Sequence, residues 1–284
     1  MKATARKVAK IIEPRAVVEG AGVRLKRSIG GHELDYLDPF LLLDHFQSKN
    51  AADYQAGFPL HPHRGIETVT YLLAGTVRHR DSVGNSGEIG AGDLQWMSAG
   101  RGILHEEMPQ VRPEGIAGFQ LWVNLPKSQK MSAPRYQNVT ANEIPRIERD
   151  GGTTVRVIAG TVDGVTGPIS GIAAEPTYLD VALAPGASFA QAVPPGHSAF
   201  AYLFEGEAHF GADDGTLVAR PKLVIWDDGD RVDVHAGHKP ARFLLVSGAP
   251  LNEPVARYGP FVMNTQAEIQ QTLRELQAGT FAAQ

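Results

Sequence analysis

Two short segments carry the side chains best suited to chemistry, His61-Pro62-His63 and His105-Glu106-Glu107. In each, two possible metal ligands stand two positions apart, and in an extended chain such residues project from the same face. Two adjacent strands of this kind can aim three imidazoles and one carboxylate at a single point: His61, His63, His105 and Glu107. Glu106 alternates to the opposite face of its strand. A lone His-x-His in a strand is often a hydrogen-bonded core or rim pair, whereas two i,i+2 pairs in one half of a chain argue for a metal. Neutral imidazoles with a carboxylate are nitrogen and oxygen ligands of intermediate hardness, suited to Fe(II), Mn(II), Ni(II), Co(II) or Cu(II). Zn is chemically possible too, although four protein ligands would close its preferred tetrahedral site. Glu67, four residues after His63, is a rival carboxylate.

The elements that must position these residues read as strands. Thr68–Leu73 and Leu94–Met97 are short apolar or β-branched runs, separated by Gly75, Asn85-Ser86-Gly87 and Gly90-Ala91-Gly92-Asp93. Such runs between glycine and asparagine turns predict antiparallel strands of a small barrel. Upstream, Arg15 to Gly31 reads as a hairpin turning at Gly20-Ala21-Gly22, with no residue that suggests chemistry. Leu37 to Phe46 reads as a strand feeding the barrel, with Pro39 biasing Asp38 toward an extended backbone. Its His45 lacks a partner at strand spacing, so a supporting, hydrogen-bonded histidine is expected. Phe119–Leu125 is a further strand, ended by the polar turn after Pro126. Thr140-Ala141-Asn142-Glu143 has the capping-box pattern of a short helix that Pro145 cuts off.

The polar stretch Glu148 to Gly152 marks a boundary, giving a metal-binding domain over 1–147 and a second domain over 148–284. The second resembles the first weakly: Tyr71-Leu72-Leu73-Ala74-Gly75 is echoed 131 residues later by Tyr202-Leu203-Phe204-Glu205-Gly206. Carried over, that offset puts Ala192, Pro194 and Ser198 where His61, His63 and Glu67 stand. The second half therefore lacks the ligand pair and is expected to be structural support. At the end of the chain Thr265-x-x-Glu268 is a capping box, and Ile269, Leu273 and Leu276 recur at helical spacing, predicting a C-terminal helix packed on its own protein.

Composition narrows the rest. A chain of 284 residues can hold one large or two ordinary domains. With 27 Lys+Arg against 31 Asp+Glu it carries no basic excess, which argues against direct nucleic-acid binding. The absence of cysteine excludes disulfides and thiolate metal sites. No apolar run has the length of a signal peptide or membrane span, so no membrane association and a cytoplasmic location are expected.

The segment from Gly57 to Pro109, with Leu37-Asp38-Pro39-Phe40-Leu41 before it and Gln120 to Pro126 and Gly259 to Thr265 after it, resembles the pirin family of the cupin superfamily. The resemblance spans nearly the whole chain. It implies an all-β bicupin, two cupin-type barrels with a short C-terminal helix, and an iron site whose carboxylate ligand is the glutamate of His-x-Glu, here Glu107. Glu67 is then a supporting residue. Some members show quercetin 2,3-dioxygenase activity, which would make a flavonol the substrate and Glu107 the catalytic base. Others act as transcriptional co-regulators, which would imply a regulatory protein partner.

Overall fold

Short β-branched runs punctuated by glycine turns become antiparallel strands throughout this computed structural model, which describes residues 4–212 and 215–282. The chain forms two compact units, each assembled from two stretches of sequence. One joins the stretch up to Pro14 with Asn142–Pro250, and the other joins Arg15–Ala141 with the stretch from Leu251 onward. The expected division at 147/148 had left each terminus with the nearer half. These two units instead pair each terminal stretch with the farther half. Val8–Ile12 finds its ladder partner in Lys222–Trp226, because an extended segment must satisfy its N–H and C=O groups somewhere.

In the unit that holds the histidine pairs, one sheet runs in the order Arg135–Val139, Leu94–Ser98, Ile66–Ala74, Ile116–Asn124, Phe40–Ser48, Val23–Ile29, Arg15–Glu19. A second, four-stranded sheet runs Phe58–His63, Ile103–Pro109, Val77–Asp81, Ser86–Ile89. The predicted hairpin is present, with Val17 opposite Leu25, and it forms the edge of the larger sheet. The fastening of this unit comes from the C-terminal stretch. Helix Gln266–Gln277 starts at the expected capping box: Thr265 accepts from the Glu268 backbone N–H, and Glu268 accepts from that of Thr265. Its apolar stripe, Ile269 with Leu273 and Leu276, packs with Ala256, Phe261, Met263, Phe281 and Leu104. The capping-box pattern at Thr140 yields only one 3-10 turn, Ala141–Glu143, since Pro145 forbids a continuing helix.

The other unit is a barrel filled with apolar side chains, among them Phe189, Phe210, Trp226, Phe243, Val224 and Leu245. The internal repeat has a structural counterpart: Gly75 and Gly206 both follow the repeated strand segment with positive φ, 82° and 72°. A Cβ at either would collide with a backbone carbonyl, of Gly115 and Pro240 respectively, so only glycine suits both corners. No helix among the described residues is long and apolar enough to cross a membrane.

Candidate metal centre and its cavity

The strands Phe58–His63 and Ile103–Pro109 are antiparallel neighbours, with Ile103 opposite His63 and His105 opposite His61. Directly opposed residues share a face of the sheet. Strand alternation and this register bring three imidazoles together, with ring centroids 4.9 Å apart for His61 and His63, 4.5 Å for His61 and His105, and 5.0 Å for His63 and His105. One ring nitrogen from each lies within 4.8 Å of the others. Among the described residues no other group of three or more His, Asp or Glu side chains meets in this way.

The donor atoms suit a cation. His61 Nδ1 lies 2.9 Å from the Pro59 carbonyl, which can only accept, so that nitrogen carries the proton and Nε2 keeps its lone pair. His61 Nε2 faces His63 Nε2 at 3.1 Å, a separation at which two ring nitrogens share a proton or a metal. Both ring nitrogens of His105 are buried without a hydrogen-bond partner. Leaving such groups unsatisfied costs ~1–3 kcal/mol each, a penalty that coordination relieves where the nitrogen is a ligand. Burial, then the neighbouring imidazoles, holds His63 well below the usual histidine range and lowers His105 to about 3. The two rings are therefore neutral at physiological pH, the form in which imidazole binds metal.

Glu107 lines the same cavity but stands beside the imidazole group. The ladder slips between His105 and Glu107, so that Glu107 pairs with Phe58. Its carboxylate is buried and accepts a hydrogen bond from the Thr70 hydroxyl at 2.9 Å. Gln120 adjoins the same hydroxyl at 2.8 Å. On the next strand His79 pairs with Glu107 and is buried, one ring nitrogen 3.0 Å from the Gln95 amide. The sequence reading had not singled out this histidine.

The other carboxylates separate cleanly. Glu106 points outward to an exposed Arg80 at 2.5 Å. Glu67 is buried, and its partner is the Ser98 hydroxyl at 2.6 Å. Alternation puts Glu67 on the face opposite Thr70, away from the imidazoles. His45 lies on that same far face, stacked on Phe119 at 4.8 Å.

Next to His63, the buried Arg64 ties the strand end to the C-terminal stretch. It donates to the Arg101 carbonyl, to Thr272 Oγ1 at 3.1 Å and to the Phe281 carbonyl at 3.0 Å, and it pairs with Glu275 at 2.7 Å. Trp122 meets His63 edge-on, 5.2 Å between centroids.

His61 and His63 line a cavity of about 560 Å³ whose walls are largely apolar, with Leu25, Leu42, Phe46, Tyr54, Phe58 and Trp122. Glu19, Arg27, Asp44 and Arg257 also line it. The hairpin assigned no chemistry in the sequence thus contributes two charged side chains to the cavity. One signal was available: Asp44 sits inside the apolar run Leu41 to Phe46, and a buried carboxylate demands a partner. That partner is Arg27, in a bidentate pair at 2.8 and 2.7 Å.

Comparison with known proteins agrees with this architecture. The pirin family model matches residues 22–123, and that of the pirin C-terminal cupin domain matches residues 178–282. A pirin-like protein of Caulobacter vibrioides is 46% identical over 277 residues, covering 97% of this chain and 99% of that protein. Human pirin is 45% identical over 274 residues, covering 95% and 92%. A crystal structure described as quercetin 2,3-dioxygenase from Acinetobacter baumannii superposes with a TM-score of 0.88 at 34% identity, covering 98% of this chain and 99% of that one. With three histidines converging on one barrel cavity and relatives matching from end to end, the chain is a bicupin that belongs to the pirin family.

Proposed function

We propose that the protein is an iron-dependent dioxygenase of the quercetin 2,3-dioxygenase type, acting on a flavonol. The observation that carries this reading is the trio His61, His63 and His105, two of which, His61 and His63, line an apolar cavity large enough for a three-ring aromatic molecule. The A. baumannii structure described by that activity shares the fold over nearly the whole chain. The three histidines would hold the metal, with Glu107 as the fourth protein ligand. A bound Fe(II) would supply Lewis acidity toward the flavonol hydroxyl and a redox centre for dioxygen.

The chain's own residues do the rest. Glu107 takes the proton of the flavonol hydroxyl, and the Thr70 hydroxyl fixes the direction of its carboxylate. Phe46, Phe58 and Trp122 seat the flat rings and keep water from the ionised substrate. Metal analysis together with an oxygen electrode tests the reading. The expected result is about one iron per chain and oxygen uptake that tracks quercetin loss. Absence of uptake after loading with iron, manganese, nickel, cobalt or copper overturns it.

A further inference from the structure

Two guanidinium groups line the cavity, and their surroundings differ. Arg27 is saturated: it grips Asp44 with two hydrogen bonds and Glu19 with a third at 2.7 Å. Arg257, on the short strand Ala256–Tyr258, lies with its guanidinium carbon 5.2 Å over the Trp122 ring. It donates only to backbone carbonyls, of Leu41 at 3.2 Å and Gly259 at 3.4 Å. Among the described residues it has no carboxylate at ion-pair distance, and its Nη2 makes no hydrogen bond. Burial, followed by the repulsion of Arg27, pulls its pKa down against the opposing attraction of Asp35, Asp44 and Glu19.

A half-buried guanidinium over an aromatic face, with an Nη2 that makes no hydrogen bond and a cavity beside it, can receive an oxyanion. Its position adds direction. Trp122 contacts both His63, with the two rings nearly perpendicular, and the Arg257 guanidinium, so one indole bridges the imidazole group and this cation.

We infer that Arg257 is a specificity-determining residue of this cavity, and that the preferred ligand is a flat aromatic molecule carrying an acidic oxygen at the end remote from the histidines. For a flavonol, whose identity as substrate rests on the function proposed above, that oxygen is an ionisable ring hydroxyl such as the one at position 7. The carbonyl bonds of Nε and Nη1 hold the group over Trp122, and Nη2 receives the anion.

The test is calorimetric, on the iron-loaded protein, with two matched probe pairs: 2-naphthoate against 2-naphthamide, and 3,7-dihydroxyflavone against 3-hydroxyflavone at a pH where the 7-hydroxyl ionises. Wild type should prefer the anion of each pair by ~10–100-fold, the range of a charge-assisted hydrogen bond. Arg257→Met should erase the preference with iron content unchanged, and Arg257→Lys should keep part of it. Undiminished anion preference in Arg257→Met places the anion at the metal and overturns the inference. So does a wild type indifferent to charge. If Arg257→Met fails to retain iron, the Lys variant decides, with an unchanged preference counting against the inference. An Arg257-dependent naphthoate preference without flavonol oxygen uptake upholds the anion site and sinks the dioxygenase reading. Flavonol turnover with no Arg257 dependence does the reverse.

Discussion

Glu106 and Glu107 are neighbours in sequence and face opposite ways, and that contrast makes a clean experiment. Glu107 is buried against Thr70 in the metal cavity, whereas Glu106 meets an exposed Arg80. Glu107→Ala should weaken metal binding and abolish flavonol oxygen uptake. Glu106→Ala should leave both intact and change stability by less than ~1 kcal/mol, the range of a surface ion pair. Glu67 was expected to support the metal, at a cost of ~10–100-fold on removal. Its position on the far face, bonded to Ser98, alters that expectation. Glu67→Ala should lower the melting temperature while metal content, read by mass spectrometry, stays constant. Metal lost from the Glu67 variant and kept by the Glu107 variant would reverse the carboxylate assignment. The imidazole trio was legible in the sequence because strand alternation is a rigid rule. The slip that sets Glu107 aside was not, since a register shift depends on the partner strand. Arg257 was equally invisible, because its partner Trp122 lies far away in the chain.

Among the elements, the strands and the C-terminal helix were readable from period and caps. Their assembly was not, because pairing and packing partners distant in sequence leave no local signal. The exit from strand Ile116–Asn124 shows what such assembly requires. Lys130 is buried, and its ammonium donates to the Gly65 carbonyl at 2.9 Å, Asn124 Oδ1 at 2.7 Å and the Val262 carbonyl at 2.9 Å. It thereby fastens the histidine-bearing segment to the C-terminal stretch. All three partners are neutral, and burial lowers the pKa from 10.5 to about 8. The sign of the consequence follows from proton counts. Between pH 8 and 10.5 the unfolded chain holds this proton and the folded chain has released it, so stability rises with pH across that window. The slope is at most ~1.4 kcal/mol per pH unit. Below about pH 8 both states are protonated and this contribution is flat. Urea unfolding at about pH 7.5, 9 and 10 should show wild type gaining on Lys130→Met as pH rises. Parallel pH dependences of the two proteins would remove Lys130 from the account.

At the scale of the molecule, two units of similar architecture have opposite interiors. One turns His61, His63 and Glu107 toward a cavity with His105 gathered behind them, and the other fills its barrel with Phe189, Phe210, Trp226 and Phe243. The repeat that relates them keeps the glycine corners, Gly75 and Gly206, and discards the ligands, with Ala192 and Pro194 standing where His61 and His63 would be. Metal should therefore stabilise one unit and leave the other untouched. A ligand that binds only the folded state adds RT ln(1 + [L]/Kd), ~2.7 kcal/mol at a hundredfold excess over Kd. Hydrogen exchange followed by mass spectrometry resolves where that free energy acts. Stripping the metal should speed exchange in Phe58–His63 and Ile103–Pro109, whose ligands lose their shared partner. Exchange in Ser198–Phe210 and Ala241–Gly248, packed around an apolar core, should not change. The double variant His61→Ala with His63→Ala should match the stripped protein and show no response to added iron. If chelation instead loosens Ser198–Phe210, or the double variant still takes up metal, the second barrel holds a binding site of its own and the division of labour between the units fails.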